Sequence, residues 1–367
     1  TPVTDISEAK KLELDVPKWE KNIKNLSAVF KNYPDIVNSG VSMFIFSSDN
    51  LMLNNEGFLI KKPGNYWGLN IQADTLTEDG QTLGLSRFFY GKNLESIASE
   101  AELTKTVNEL AEQLMKTRSA PKFTETYIGP VLLTENAAVN IFAGNFAPNL
   151  INRRGEGSRD LSDRINRRVL PSFLSITDNP NLEKIGNTEL PGSYKFDSQG
   201  IEAKPLNLVE NGILKNLLTS RTPTKFSKQS NGRSGGFSNL IVETLVKKTF
   251  AELKAELINQ CKLLSMPYGI MLKGVNSGTS IYKVYVEDGR EELIRSANID
   301  GVNIQDFRQI LAAGDDSFTV NLPSRGDSNL SSVTAPSILM EEMVLRKDTA
   351  PKTRPFILTN PFFDKSK

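Results

Sequence analysis

Two tight-turn dipeptides, Asn211-Gly212 and Asp288-Gly289, restrict the fold of the second half of this chain more than any other feature. Each lies between short apolar runs, and this pattern indicates a β-hairpin because Asn, Asp and Gly tolerate positive φ. Similar strand-like runs recur after residue 125, and stretches of helical periodicity near 248–264 and 303–313 interrupt them. We therefore expect an α+β fold in which residues 126–367 form a mostly antiparallel sheet or barrel with flanking helices.

A smaller α+β domain is predicted over residues 1–125. Its amphipathic helices and alternating strands are separated by turn residues, and Ser99 with Glu102 forms a capping box at the start of the second helix. Residues 1–17 are polar and are expected to be irregular. The predicted elements are a helix over 18–33, strands over 41–48 and 66–76, and a helix over 99–121.

The 367-residue chain contains no histidine, which removes several chemistries together. A Ser-His-Asp relay, a Cys-His relay and any zinc site with an imidazole ligand are impossible. The single cysteine, Cys261, has apolar neighbours and is expected to be a buried, inert thiol. Serine, lysine or threonine nucleophiles stay open, because they leave no readable signature here.

Charge and hydropathy limit the classes of partner that the sequence indicates. The net charge is +1, with acidic and basic residues interspersed, so nothing indicates a nucleic-acid partner. No apolar run approaches the roughly 18 residues that a membrane span needs. The compartment stays open, either cytoplasmic or periplasmic or secreted after N-terminal processing.

The stretch GPVLLTENAAVNIFAGNF, residues 129–146, predicts a buried strand that runs straight into a helix. A continuous apolar run comes first, and apolar residues at helical spacing follow it. Thr134 lies between the two and is expected to cap the first helical turn with its hydroxyl.

Seven segments of this chain resemble, in order and spacing, those of the TldD/PmbA family, also named modulators of DNA gyrase. The resemblance extends from about Trp19 to about Arg346. It implies a fold shared with zinc peptidases that trim unfolded or modified peptides. The segments are YIGPVLLTENAAVNIF, GSYKFDSQG, LVENGILKNLLTSR, SNGRSGGFSNLIV, MPYGIMLKGV, VYVEDGREELIR and APSILMEEMVL.

Catalytic members of that family carry an HExxxH zinc motif after the apolar strand, and a later cysteine ligand. Its positions fall here on Thr134, Glu135 and Val139, so both histidines are replaced. The resemblance assigns Glu135 to the general base, but a glutamate at a helix N-terminus is also favoured by the helix dipole, and we expect a vestigial role. No zinc is expected, and Val139 is expected to serve packing.

Other matched positions are groove candidates. Asp197 opens a turn that matches a DDEG-like turn of catalytic members. The resemblance places Asn231, Arg233 and Asn239 in a loop beside the groove. Asn and Gly are also what any tight turn requires, so a purely structural role stays open for each.

Three functions follow from the resemblance. The first is a non-catalytic member that binds peptide or unfolded polypeptide, as a homodimer or with a TldD-type chain. The alternatives are an active peptidase with a rearranged site and a scaffold that retains only the fold. Exposed sheet edges favour a dimer in which the second-half sheet contributes to the interface. Because relatives carry further N-terminal sequence, we expect a processed or truncated chain with an incomplete N-terminal domain.

Overall fold

The computed structural model of this chain describes residues 3–8, 14–93, 97–153, 161–275, 278–324 and 327–349. Within these ranges, helices pack against mixed sheets, one of which curls into a half-barrel, and the α+β prediction is confirmed. No helix in the described ranges is both long and apolar enough to cross a bilayer.

The first part of the chain folds into two small sheets and two helices. Asp15 begins the first helix by accepting a hydrogen bond from the Lys18 N–H, and the Ser99–Glu102 capping box forms as predicted. The strands are β1 (Thr4–Ile6), β2 (Ile36–Phe46), β3 (Asp49–Leu53), β4 (Leu59–Pro63), β5 (Tyr66–Leu76) and β6 (Thr82–Gly91), and the helices are α1 (Val16–Ala28), extended by a 3-10 turn (Val29–Asn32), and α2 (Glu100–Ser119).

A long antiparallel ribbon, in which β2 and β3 (36–53) lie against β4 and β5 (59–76), dominates this region, with β6 on the other side of β5 and β1 on the other side of β4. Strand β2 pairs with β5 and strand β3 pairs with β4, both antiparallel, and the register is the same on both sides of Ser47–Ser48. The inner face of β5 presents Trp67, Leu69 and Ile71 to the apolar stripe of α2. Every second residue of the strand and one face of the helix are therefore apolar, and these side chains pack together in one core.

The second part of the chain begins with the strand that the sequence predicted before residue 134. The strands are β7 (Thr126–Glu135), β8 (Ile151–Asn152), β9 (Leu174–Asp178), β10 (Lys184–Ile185), β11 (Thr188–Glu189), β12 (Leu206–Glu210), β13 (Ile213–Leu214), β14 (Leu218–Thr219), β15 (Asn239–Thr244), β16 (Tyr268–Val275), β17 (Gly278–Tyr285), β18 (Glu291–Ile294), β19 (Ala297–Ile299), β20 (Ile310–Ala313), β21 (Phe318–Pro323), β22 (Leu330–Ala335) and β23 (Ile338–Lys347). The helices are α3 (Asn136–Ile141) and α4 (Phe250–Leu263), with 3-10 turns at Ala147–Leu150, Ser162–Arg164 and Asp306–Gln309 and a π turn at Phe142–Phe146.

Two sheets form the body of this part. One has the order β18-β17-β16-β7-β23-β19, with β20 also on β23, and the other has the order β13-β12-β9-β15-β22-β21. Most neighbours are antiparallel, but β7 pairs with β16 in parallel, as β15 does with β22. Apolar side chains from both sheets and from α3 share one large buried cluster, so the strand that leads into α3 lies at the centre of the core.

Both predicted hairpins form. Asn211 and Gly212 have φ of 47° and 79° and join β12 to β13, as a two-residue turn requires. Gly289 has φ of 71° and closes a longer loop between β17 and β18, in which the Tyr285 N–H donates to Arg290 O.

Two of the predicted secondary-structure ranges are wrong. The predicted helix at 303–313 is only a short 3-10 turn followed by strand β20, because Ile310 and Ala312 pair with β23 and this tertiary pairing overrides helical spacing. Within 1–17, Thr4–Ile6 pair in parallel with β4, and α1 already begins at Val16. The division at residue 125 stays a prediction.

Candidate functional site

The candidate site is built around the junction of β7 and α3. Strand β7 ends at Glu135 and the helical stretch begins at the next residue. Gly274 on the neighbouring strand β16 permits this sharp transition, since a Cβ there would lie 1.9 Å from the Ala137 backbone nitrogen. The helix therefore packs directly against the backbone of β16.

Thr134 does not cap the helix. It is the penultimate residue of β7, is buried, and its Oγ1 donates a hydrogen bond to Leu272 O at 3.3 Å. The parallel pairing of β7 with β16 continues through Thr134, and that pairing keeps it in the strand instead of at the helix start. The prediction of a Thr134 cap is wrong for this reason.

Glu135 occupies the capping position instead, with no hydrogen bond from its side chain to the helix. Its backbone φ is 54° and ψ is −138°, a conformation that non-glycine residues rarely adopt and that costs about 1–3 kcal/mol. Burial raises the pKa of its carboxyl, and Asp316 adds to this, whereas Lys273 and Arg87 oppose it. A half-buried carboxyl on strained backbone is therefore influenced by the charges of Lys273 and Arg87.

Val139 is fully buried in the core, where the family motif carries a second histidine. At the three motif positions, Glu135 alone carries an ordinary metal-ligand side chain. Among the described residues, no three His, Cys, Asp or Glu side chains lie close enough together to hold a metal ion. Cys261 is buried on α4, as predicted, and burial raises the pKa of its thiol to about 11.

Asp197 organises a second, separate cluster. Its Oδ1 accepts hydrogen bonds from the backbone N–H groups of Gln199, at 2.9 Å, and Ile201, at 2.8 Å, which closes the predicted turn. Gly200 has φ of 83° and a Cβ there would lie 2.4 Å from the Phe58 ring, so this turn requires glycine. Burial raises the pKa of the Asp197 carboxyl.

Arg233 is fully buried, with all five of its N–H donors bound inside the chain. Its Nε pairs with the carboxylate of Asp178, which is also fully buried. Its two terminal nitrogens donate to four backbone carbonyl groups: those of Asn231, Gly232, Asp178 and Lys204. The guanidinium thus ties the loop to the sheet and has no donor left for a ligand.

Asn231 and Asn239 also bind backbone. Asn231 accepts from the Thr219 N–H at 2.9 Å and donates to Leu217 O at 2.7 Å. Asn239 is buried and donates to two backbone carbonyl groups of the loop after β9, whereas Asn231 is half-buried. In this structure these candidates shape the loop.

The two clusters are not brought together. Asp316, which acts on Glu135, precedes strand β21, and Asp327, which binds the Asp197 turn, follows it. A six-residue strand spans about 20 Å. The β7–α3 junction and the Asp197 turn therefore lie toward opposite ends of β21, whereas Asn239 pairs with Ser332, which pairs with Asn321 in the middle of that strand.

Sequence reasoning missed two carboxylates that hold this architecture. Asp178 is the buried partner of Arg233, and Asp327 accepts hydrogen bonds from Ser198, Ser234 and Gly235. The aspartate at the end of the strand-like run LSITD was one available signal for Asp178. Asp327 lies in a polar loop and carries no local signal, because its partners are at least 92 residues away.

Comparison with known proteins identifies the class. Residues 124–347 match the family described as the PmbA/TldA metallopeptidase C-terminal domain, and the chain belongs to this PmbA/TldD family. The metalloprotease PmbA homolog of Haemophilus influenzae is 29% identical over 224 residues, covering 58% of this chain and 45% of that protein. A metalloprotease of Methanothermobacter thermautotrophicus is 24% identical over 319 residues, covering 82% of this chain and 68% of that protein. The chain therefore matches less than half the length of the Haemophilus protein.

Solved structures share the fold. A candidate modulator of DNA gyrase from Bacteroides thetaiotaomicron superposes with a TM-score of 0.65 at 15% identity, over 93% of this chain and 76% of that one. TldE from Thermococcus kodakarensis superposes with a TM-score of 0.62 at 14% identity, over 94% of this chain and 79% of that one. At these identities the likeness concerns the fold alone.

Proposed function

We propose that this chain is a non-catalytic member of its family that binds extended peptide or unfolded polypeptide, alone or beside a TldD-type partner. The observation that carries this proposal is the replacement of both motif histidines by Thr134 and Val139, one bonded within a sheet and the other packed in the core. Neither position offers a metal ligand, and zinc peptidases need three protein ligands.

Strand β21 is the surface that we assign to the peptide. It lies at the edge of the six-stranded sheet, and α3 packs against it. Ser324 donates its N–H to Asn329 O across the hairpin, and hydrogen-bonded pairs alternate along an antiparallel ladder. Thr319, Asn321 and Pro323 consequently direct their backbone groups away from β22, where an extended peptide can add a strand.

Proline substitution at Thr319 tests this assignment. Thr319→Pro removes one outward N–H, and we expect at least a fivefold weaker affinity, because a hydrogen bond contributes about 1 kcal/mol. Thr319→Val is the matched control, since it loses only the hydroxyl contact with Thr334 and keeps the N–H. The probe is reduced, carboxymethylated α-lactalbumin, measured by fluorescence anisotropy.

Two results would contradict the assignment or the proposal. Equal affinities of Thr319→Pro and Thr319→Val would remove β21 as the peptide strand. A wild-type chain that binds no unfolded polypeptide would overturn the peptide-binding proposal and favour a scaffold.

One observation favours the alternative, an active peptidase with a rearranged site. Glu135 keeps a raised pKa and a strained backbone at the position of the family's general base. Elemental analysis of the purified chain separates the two functions. We expect well under one equivalent of zinc and no proteolysis that a chelator abolishes, and stoichiometric zinc lost together with activity would support the peptidase.

A further inference from the structure

Five aromatic rings cluster on the outer face of the β2-β5-β6 sheet. Helices α1 and α2 pack on the inner face, where every second residue of the strands joins a buried core. Phe44 and Phe46 are 40% and 42% exposed, and a Cβ at Gly68 would lie 2.1 Å from the Phe44 ring, which therefore lies across the backbone of β5. Exposed rings that are held in place in this way are typical of a binding surface. The ring cluster consists of Phe44, Phe46, Tyr66, Phe88 and Tyr90, and neighbouring ring centroids lie 5.1 to 6.5 Å apart.

The ring cluster lies beside the strand that we assign to the peptide. The Asn321 side chain in the middle of β21 donates a hydrogen bond from Nδ2 to Tyr90 O at 3.2 Å. Asn329, just after the β21 hairpin, touches the ribbon, since a Cβ at Gly64 would lie 2.1 Å from its Nδ2. Gly64 precedes Tyr66 by two residues. The two contacts therefore place the ring cluster next to the second half of β21, from Asn321 to the hairpin.

The ladder of β21 decides which peptide side chain points toward the rings. Asn321 is one of the residues whose backbone groups face away from β22. On its inner side it pairs with Ser332, whose hydroxyl donates to Asn321 Oδ1 at 2.8 Å. Directly opposed residues of an antiparallel pair point their side chains to the same face. A peptide residue that pairs with Asn321 on the open edge therefore directs its side chain to the face on which Tyr90 lies.

The charges around the ring cluster leave no attraction for a charged peptide side chain. The three strands that carry the rings hold only two charged residues, Asp74 and Arg87. Asp74 is eight residues from Tyr66, about 26 Å along β5. Arg87 alternates with the outer rings and reaches Glu109 of α2 at 3.9 Å, on the inner face. Glu189, whose carbonyl also accepts from Asn321, has Lys184 at 4.0 Å from its carboxylate. The rings therefore favour a neutral, apolar side chain.

We propose that the ring cluster is the specificity surface of the peptide site, and that it binds one aromatic or large aliphatic side chain at the position that pairs with Asn321. This inference rests on the proposed peptide strand β21. The backbone ladder at β21 supplies affinity for any extended chain, and the rings select among sequences. Aromatic and large aliphatic residues are buried in folded proteins, so the selection favours segments that only an unfolded polypeptide exposes.

Peptides with a single guest residue test this preference. The probe is a fluorescein-labelled host peptide of alternating serine and threonine with one guest residue at its centre, and its affinity is measured by fluorescence anisotropy. We expect the phenylalanine guest to bind about tenfold more tightly than the serine guest, because its ring buries apolar area against other rings. The lysine guest is expected to bind no more tightly than the serine guest.

Variants of the rings locate the preference. Phe44→Ser is expected to bring the ratio of the phenylalanine-guest and serine-guest affinities close to one, and Phe46→Ser is a second variant on the same surface. Circular dichroism verifies that each variant is folded. Phe250→Ser is the matched control, because this phenylalanine is 43% exposed at the start of α4, and it is expected to keep the ratio. Thr319→Pro is expected to weaken both guests alike.

The outcomes separate this inference from the peptide strand itself. Equal affinities of the phenylalanine and serine guests for the wild type would overturn the specificity surface while β21 stays the peptide strand. A lysine guest that binds more tightly than phenylalanine, a ratio that survives both Phe44→Ser and Phe46→Ser, or a ratio lost in Phe250→Ser would do the same. A wild-type chain that binds none of the peptides would overturn both proposals.

Discussion

Replacement of Arg233 by methionine is expected to destabilise the chain by about 3–5 kcal/mol at neutral pH. The substitution keeps an unbranched apolar side chain in the space but removes the partner of the fully buried Asp178 carboxylate. It also removes a donor from four backbone carbonyl groups. The Gly232 carbonyl keeps the Tyr194 hydroxyl as a donor at 2.9 Å, and each carbonyl left unsatisfied adds to the loss.

The destabilisation should depend on pH with a definite sign. In the wild type, burial raises the pKa of Asp178, while Arg233 and then Ser238 oppose that rise. Without Arg233 the main opposing charge is gone, so the pKa of Asp178 in the folded state moves further above its unfolded-state value. An acid with a raised folded-state pKa contributes its full stability at low pH and loses it as pH rises through that pKa. The deficit of Arg233→Met should therefore be larger at pH 8 than at pH 5.

Urea unfolding followed by circular dichroism measures this, with two controls. The double variant Asp178→Asn/Arg233→Met removes both charges and is expected to recover much of the loss. Arg346→Met removes an exposed ion pair with Asp300 and should change the free energy of unfolding by less than about 0.5 kcal/mol. A loss below about 1 kcal/mol for Arg233→Met, or a loss that does not grow with pH, would refute the reasoning.

Two further substitutions test the β7–α3 junction. Glu135→Gly is expected to raise the free energy of unfolding by about 1 kcal/mol, because glycine adopts φ of 54° without strain. Glu135→Ala keeps the strained backbone and is expected to leave the free energy of unfolding without this gain. Equal urea midpoints for the two variants would contradict this reasoning. Gly274→Ala is expected to destabilise by about 1–3 kcal/mol through contact with the Ala137 backbone, whereas Gly301→Ala, with no atom within 4 Å of the new Cβ, should be near neutral in thermal unfolding.

The sequence correctly predicted the elements that depend on interactions between residues close together in the chain. The strand over residues 66–76 requires only alternation, and the capping box at Ser99 requires only a side chain three residues away; the structure contains both. The segment at 303–313 failed because its apolar spacing suits a helix, while β23, about 30 residues further on, supplies a better partner for Ile310.

The candidate site was less predictable for the same reason. Thr134 sits at a strand-to-helix boundary where capping chemistry and parallel pairing compete, and the pairing partner on β16 lies about 140 residues away. Arg233 resembled a groove residue because a sequence does not reveal that Asp178 and four carbonyl groups surround it. Glu135 was matched to its position, but its positive φ and its neighbours Arg87 and Asp316 are properties of the folded chain.

The central position of β7 has a consequence for how the chain folds during synthesis. Its two neighbours in the sheet come much later in the sequence, since Leu133 pairs with Leu272 on one side and with Ile338 on the other. At roughly 5–20 residues per second, a ribosome needs on the order of 10–40 s between the emergence of β7 and that of β23. The apolar run from Val131 to Leu133 has no sheet partner until β16 emerges, and its other side stays unpaired until β23 emerges. Deletion of β23 should therefore leave a nascent chain that depends on chaperones and is cleaved readily by protease, even though the ribbon of β2 to β5 is already complete.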